Sequence, residues 1–189
     1  LEPLIEATAA ILCGGKSSRM GFDKSLLKIR GNYVLLETVK QLRLLFKEVI
    51  LITDNKGKFP EEFGDCLIWE DDYINCGPLG GLVTALEKSK FSSVFLVACD
   101  MPKLDSALIR QMAKERLAFD LVIYEHERQL EPLFAFYRKT CLSLLKEQIL
   151  AGDYRIKSNF SKLSQKKIVS SQKIEIKNVN YPEDVCDWY

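Results

Sequence analysis

Along the first 117 residues, short apolar runs alternate with longer segments in which apolar residues return every three or four positions. Residues 7–13 are apolar and short, the pattern of a strand buried on both faces. Asn32 is placed to cap a helix over residues 33–46, with Leu35, Val39, Leu42 and Leu45 on one face. Residues 48–53 predict a buried strand that stops at Asp54 and Asn55, and residues 66–69 a strand running into Glu70, Asp71 and Asp72. Residues 76–82 form a turn that feeds a helix with Leu79, Leu82, Val83 and Leu86 on one side. Residues 93–99 are the most continuous apolar run and predict a central strand, ended by Asp100 and Pro102, before a helix over 104–117 capped by Asp105 or Ser106.

Strands alternating with helices predict a parallel sheet covered on both faces, an α/β, Rossmann-like three-layer sandwich. In such a sheet the loops that follow strands gather at one edge, where ligands bind. That edge would collect residues 14–24, Asp54, Asn55, Asp71, residues 77–81 and Asp100. The remainder reads differently: strands at 120–124 and 132–137 separated by a polar stretch, a helix over 140–150 closed by Gly152, a weakly patterned segment, an edge strand at 173–176 and a short helix started by Pro182. The expected organisation is one domain over 1–189, in two parts over about 7–117 and about 118–189.

Composition narrows the function. With 27 basic and 26 acidic residues the net charge is +1, which speaks against a nucleic-acid binder. No apolar run is long enough for a membrane span, and no charged stretch followed by an apolar one opens the chain, so the expectation is a cytoplasmic protein without a secretory leader. The six cysteines show no metal-ligand spacing and fall partly within apolar strands, as reduced, small hydrophobes do. His126 is the single histidine, so no Ser-His-Asp set and no histidine metal cluster is available.

The candidate chemistry lies after the first strand. Gly14, Gly15 and Gly21 permit a backbone that approaches a ligand closely and turns amides outward toward an anion. Arg19 and Lys24 add cations suited to a triphosphate, and Asp100, at the tip of the central strand, is suited to Mg²⁺, which takes few protein oxygens alongside substrate phosphates. The string L-C-G-G-K-S-S-R-M-G-F-D-K over residues 12–24 closely resembles the nucleotidyltransferase signature L-A-G-G-x-S-x-R-M-G-x-D-K, in the form found in the molybdenum cofactor guanylyltransferases. Gly77-Pro78-Leu79-Gly80-Gly81 is similar to that family's G-P-L-x-G, and Cys99-Asp100-Met101-Pro102 to its C-D-x-P.

The resemblance implies a nucleotide-diphospho-sugar transferase type of fold and GMP transfer from GTP to the phosphate of molybdopterin, with the first of the two parts nucleotide-binding and the second acceptor-binding. It implies that Leu12, Cys13, Gly14 and Gly15 lend backbone to the nucleotide, that Lys24 meets its phosphates and that Asp100 holds the metal. Asn55 and Asp71 occupy positions whose counterparts touch the nucleotide, while Gly80 and Gly81 offer bare backbone to a guanine edge. Asn178-Val179-Asn180-Tyr181-Pro182-Glu183 resembles the family ending N-V-N-T-P-E, and with Arg155 it would lie toward the pterin acceptor. The expected partners are GTP, molybdopterin and a molybdoenzyme chaperone, with no nucleic acid and no membrane. The alternatives are a cytidylyltransferase, a sugar-phosphate nucleotidyltransferase, or a nucleotide-binding protein that delivers cofactor without catalysis.

Overall fold

Two interior strands, one ending at the glycine loop and one at Asp100, lie side by side in a seven-stranded sheet. The computed structural model describes residues 2–14, 23–101 and 103–169. In chain order its elements are β1 (Ile5–Leu12), β2 (Lys28–Ile29), β3 (Asn32–Tyr33), α1 (Val34–Arg43), β4 (Phe46–Thr53), β5 (Leu67–Glu70), α2 (Gly77–Lys88), β6 (Ser93–Ala98), α3 (Ser106–Ala113), β7 (Leu121–His126), β8 (Gln129–Arg138), α4 (Leu142–Leu150) and β9 (Gln165–Val169). The large sheet has the order β5-β4-β1-β6-β8-β7-β9, and β2 pairs with β3 in a separate hairpin. Only β8 runs against the others, which makes the sheet mostly parallel.

Alternation along β1 divides the core between two helical layers. Ala7, Ala9, Ile11 and Cys13 pack with Leu35, Val39 and Leu42 of α1 and with Leu108, Ile109 and Met112 of α3. Ala10 and Leu12 pack on the opposite face with Leu79, Leu82, Val83 and Leu86 of α2 and Leu145 of α4. Small residues in β1 leave room for large ones on either side: Phe46 of β4, Phe95 of β6, and Phe134 and Phe136 of β8 pack across it with ring centroids 4.9 to 6.0 Å apart.

Several elements depart from the sequence pattern. Asn32 does not cap α1; it belongs to β3, across a turn at Arg30 and Gly31 (φ 48° and 85°), and Tyr33 stands at the cap without a side-chain hydrogen bond. Helix α3 is shorter than its apolar spacing suggests, and Asp105 caps it by accepting from the Leu108 amide at 2.9 Å. The polar stretch 125–131 is not a loop. It continues β7 and β8 around a two-residue turn, Glu127 and Arg128, both with positive φ. Phe134 sits opposite Val97, so residues 129–132 of β8 run on beyond the end of β6. Strand β9 escapes the pattern because only Ile168 among its residues is buried. Gly15, Lys16, Arg19, Gly21, Pro102, Asn178, Asn180, Cys186 and the strand expected at 173–176 lie outside the described residues.

Helix α2 is held at both ends by β1. Gly81 lies against the Leu12 side chain, and Ser89, after the last turn, shares a hydrogen bond with the Thr8 hydroxyl. The first turn of α2, residues 77–80, therefore projects about 6 Å beyond the sheet edge. A Cβ at Gly80 would come within 2.6 Å of the Tyr73 carbonyl oxygen, whereas one at Gly81 would meet only the movable Leu12 Cδ2 at 2.8 Å. Alanine in a helix ordinarily gains about 1 kcal/mol over glycine, but overpacking against fixed backbone costs about 1–3 kcal/mol. Gly80→Ala is therefore expected to lower the urea midpoint of unfolding and Gly81→Ala to leave it nearly unchanged. Equal midpoints for the two variants would contradict this account.

Candidate functional site

The parallel ladder carries on for one residue past the strands, and this aligns the site. The Cys13 amide donates to the Ile52 carbonyl (2.7 Å), Cys99 to Leu12 (3.1 Å) and Asp71 to Thr53 (2.7 Å). Gly14, Asp54, Asp71 and Asp100 thus emerge along one edge. Gly14 has a steric reason to lack a side chain, since a Cβ there would stand 3.3 Å from the Asp54 amide nitrogen.

Across that edge Lys24 Nζ lies 3.0 Å from Asp100 Oδ2, with side-chain exposures of 22% and 17%. The two residues singled out for phosphate and metal are therefore in contact. Lys24 opens a single 3-10 turn (Lys24–Leu26) whose cap is Asp23: its Oδ1 accepts from the Ser25 amide (2.9 Å) and the Ser25 hydroxyl (2.6 Å). The other carboxylate oxygen of Asp23 lies 2.8 Å from Lys58 Nζ. Lys58, to which the sequence reading gave no role, also donates to the Cys13 carbonyl (2.6 Å) and to Asp54 Oδ1 (3.1 Å). The only signal for it in the sequence is its spacing, four residues beyond Asp54 with Gly57 between.

The charges in this cluster reinforce one another. Burial works to raise the carboxyls of Asp23 and Asp54, but hydrogen bonds and charge from Lys58 outweigh it and hold both below the ordinary aspartate value. Burial likewise works to lower Lys58, and the two aspartates overcome it and raise the ammonium. The carboxylates therefore contribute stability above about pH 4 that is lost as pH falls through their lowered values. The ammonium contributes stability below about pH 10 that is lost as pH rises through its raised value. All three stay charged at neutral pH.

Other anticipated residues are placed as follows. Asn55 uses its side-chain oxygen to accept from the Gly57 amide (2.8 Å), which turns Lys58 back toward the cleft. Asp71 accepts from the Tyr73 amide (2.9 Å) and the Thr84 hydroxyl (2.8 Å), and burial above all raises its carboxyl. Gly80 and Gly81 are buried in α2, and the space left by their missing side chains faces Tyr73 and Leu12 rather than a cleft. The amide of Gly80 is directed at the Cys76 carbonyl (3.5 Å), so the free donors of that helix start are the amides of Gly77 and Leu79. Both glycines thus have a packing reason to lack a side chain. Cys13 is buried, and burial, with the neighbouring Cys99 thiol, pushes its thiol far up, as suits a small apolar residue. Arg155 is exposed and forked onto Asp153, which it holds well below the usual carboxylate range. Its loop reaches the hairpin through Lys157, which donates to the Leu130 carbonyl at 2.7 Å. Among the described residues no group of three or more His, Cys, Asp or Glu is gathered for a metal ion, and no helix is long and apolar enough to cross a membrane.

This arrangement can place cations and a carboxylate around a chain of phosphates, and comparison with known proteins agrees. A probable molybdenum cofactor guanylyltransferase of Clostridium perfringens is 32% identical over 164 residues, 86% of this chain and 81% of that protein. Another, from Pelotomaculum thermopropionicum, is 30% identical over 192 residues, 96% of this chain and 91% of that protein. The crystal structure of molybdopterin-guanine dinucleotide biosynthesis protein A from Archaeoglobus fulgidus shares the fold, with a TM-score of 0.78 at 22% identity over 94% of each chain. Residues 9–167 match the model of the MobA-like NTP transferase domain, and the chain belongs to that family of nucleotidyltransferases.

Proposed function

We propose that this chain transfers the GMP unit of GTP to the phosphate of molybdopterin, forming the guanine dinucleotide cofactor and pyrophosphate. The observation that carries the reading is the contact between Lys24 and Asp100, which joins the glycine loop's cation to the acid of the central strand. The relatives named as molybdenum cofactor guanylyltransferases support the choice of base and acceptor.

Asp100 fits a magnesium site of the sparse kind. It is one partly exposed carboxylate at the cleft, and Mg²⁺ commonly takes one or two carboxylates plus waters and substrate phosphates. Bound to Asp100, Mg²⁺ would neutralise charge on the nucleotide phosphates. Lys24, its ammonium beside that carboxylate, would meet a phosphate oxygen of the nucleotide bound there. Arg19, in the same loop, supplies a second cation by its place in the signature. The acceptor phosphate attacks the α-phosphorus in line; its oxygen bonds to phosphorus as the bond to the β-phosphate oxygen breaks, and pyrophosphate leaves with that electron pair. A phosphate monoester has a second pKa of about 6, so it arrives ionised and the step asks no base of the protein. His126, on the hairpin beside Glu127, is accordingly not needed. What the protein contributes is position and charge. On the acceptor side Asn178, Asn180 and Arg155 remain the assigned residues, with Arg155 leaving Asp153 to take an anion.

Two measurements test this. Asp100→Ala is expected to lower GTP-dependent dinucleotide formation by about 10²–10³, the range for loss of one electrostatic stabiliser, with the thermal unfolding transition retained. With Mg²⁺ present, GTP should raise the melting temperature more than CTP, ATP or UTP at the same concentration. Greater stabilisation by CTP would transfer the assignment to a cytidylyltransferase, and an active, metal-dependent Asp100→Ala protein would remove Asp100 from the mechanism.

A further inference from the structure

We infer that Lys58 is a positioning residue for nucleotide binding, acting through Asp23 and Lys24 rather than by touching the nucleotide; this rests on the nucleotidyl-transfer reading above. A lysine ammonium has three donors, and here three acceptors take them: the Cys13 carbonyl at 2.6 Å, Asp23 Oδ2 at 2.8 Å and Asp54 Oδ1 at 3.1 Å. Its side chain is 13% exposed. To reach a phosphate, Lys58 would have to break a charge-assisted bond that it already makes in a partly buried place, so it is a poor direct ligand.

Its acceptors point to another role. Cys13 and Asp23 flank the glycine loop, one on each side in the chain, and Asp54 directly follows the neighbouring β4. One ammonium therefore ties both flanks of the loop to each other and to the next strand. Asp23 spends its second oxygen capping the turn that Lys24 opens, and Lys24 reaches Asp100 at the end of β6. The connection Lys58–Asp23–Lys24–Asp100 runs from the β4 side of the site to the β6 side. Without Lys58, Asp23 would keep its cap but lose its anchor, and Lys24 would search a wider volume for the phosphates.

The test pairs two readouts of Lys58→Met. In the unliganded protein, hydrogen exchange at the amides of Ser25, Leu26 and Leu27 should quicken severalfold, while the interior of β1 keeps its protection. Unchanged exchange at these amides would overturn the inference whatever the nucleotide result. Binding of non-hydrolysable GTP should weaken about tenfold, as for loss of a charged hydrogen bond. In a Lys24→Met background the same substitution should add less than about twofold, because the two residues then act along one path. Independent, additive losses would mean that Lys58 meets the nucleotide itself or acts only on stability, and would also overturn the inference. If the wild-type protein bound no nucleoside triphosphate, the transfer reading would fall, and the exchange experiment would still decide whether Lys58 anchors the loop.

Discussion

The parallel backbone ladder is the constraint on which this site depends. Neighbouring parallel strands in register end side by side, and here the hydrogen bonds from Cys13 to Ile52, Cys99 to Leu12 and Asp71 to Thr53 extend that order into the loops. Residues far apart in the chain, Gly14, Asp54, Asp71 and Asp100, are thereby placed by main-chain geometry. Side chains refine that placement; the bonds of Lys58 and Lys24 act on a frame that the strands have already set. Behind the frame, the alanines of β1 and the phenylalanines of β4, β6 and β8 complement one another in size, so the strands cannot slide without opening a cavity or a clash.

A site built to receive phosphates has an electrostatic problem before they arrive, because its cations would repel one another at short range. The protein meets this with internal counter-ions. Lys58 faces Asp23 and Asp54, and Lys24 faces Asp100. Salt bridges at exposed positions are worth little, but Lys58, Lys24 and Asp100 are partly withdrawn from water, where an unpaired charge is costly. The two pairings differ in kind. The Lys58 group closes on itself with every donor used, whereas the Lys24 pair joins the cation and the carboxylate proposed to meet the nucleotide.

Much of this was legible in the sequence. The apolar run of residues 93–99 announced an interior strand, and the signature over residues 12–24 announced the family. What escaped did so for physical reasons. Lys58 looks like any surface lysine until the Asn55 turn folds it back over Cys13, a tertiary event without a one-dimensional trace. The packing role of Gly80 and Gly81 was equally hidden, because sequence does not reveal that a side chain there would have met the Tyr73 carbonyl or Leu12. Polar residues at 125–131 read as a loop because a hairpin rising above its sheet has no core to bury, and its period-two pattern fades. Strand β9, with one buried residue, was hidden for the same reason.

That hairpin has a bearing on how the cleft responds to its occupants. Its amides and carbonyls are largely spent on each other across β7 and β8, which makes it a stiff feature beyond the end of β6. A molecule seated against that hairpin would meet a wall that does not give way, so the fit on this side is set by the shape of the molecule rather than by movement of the strands.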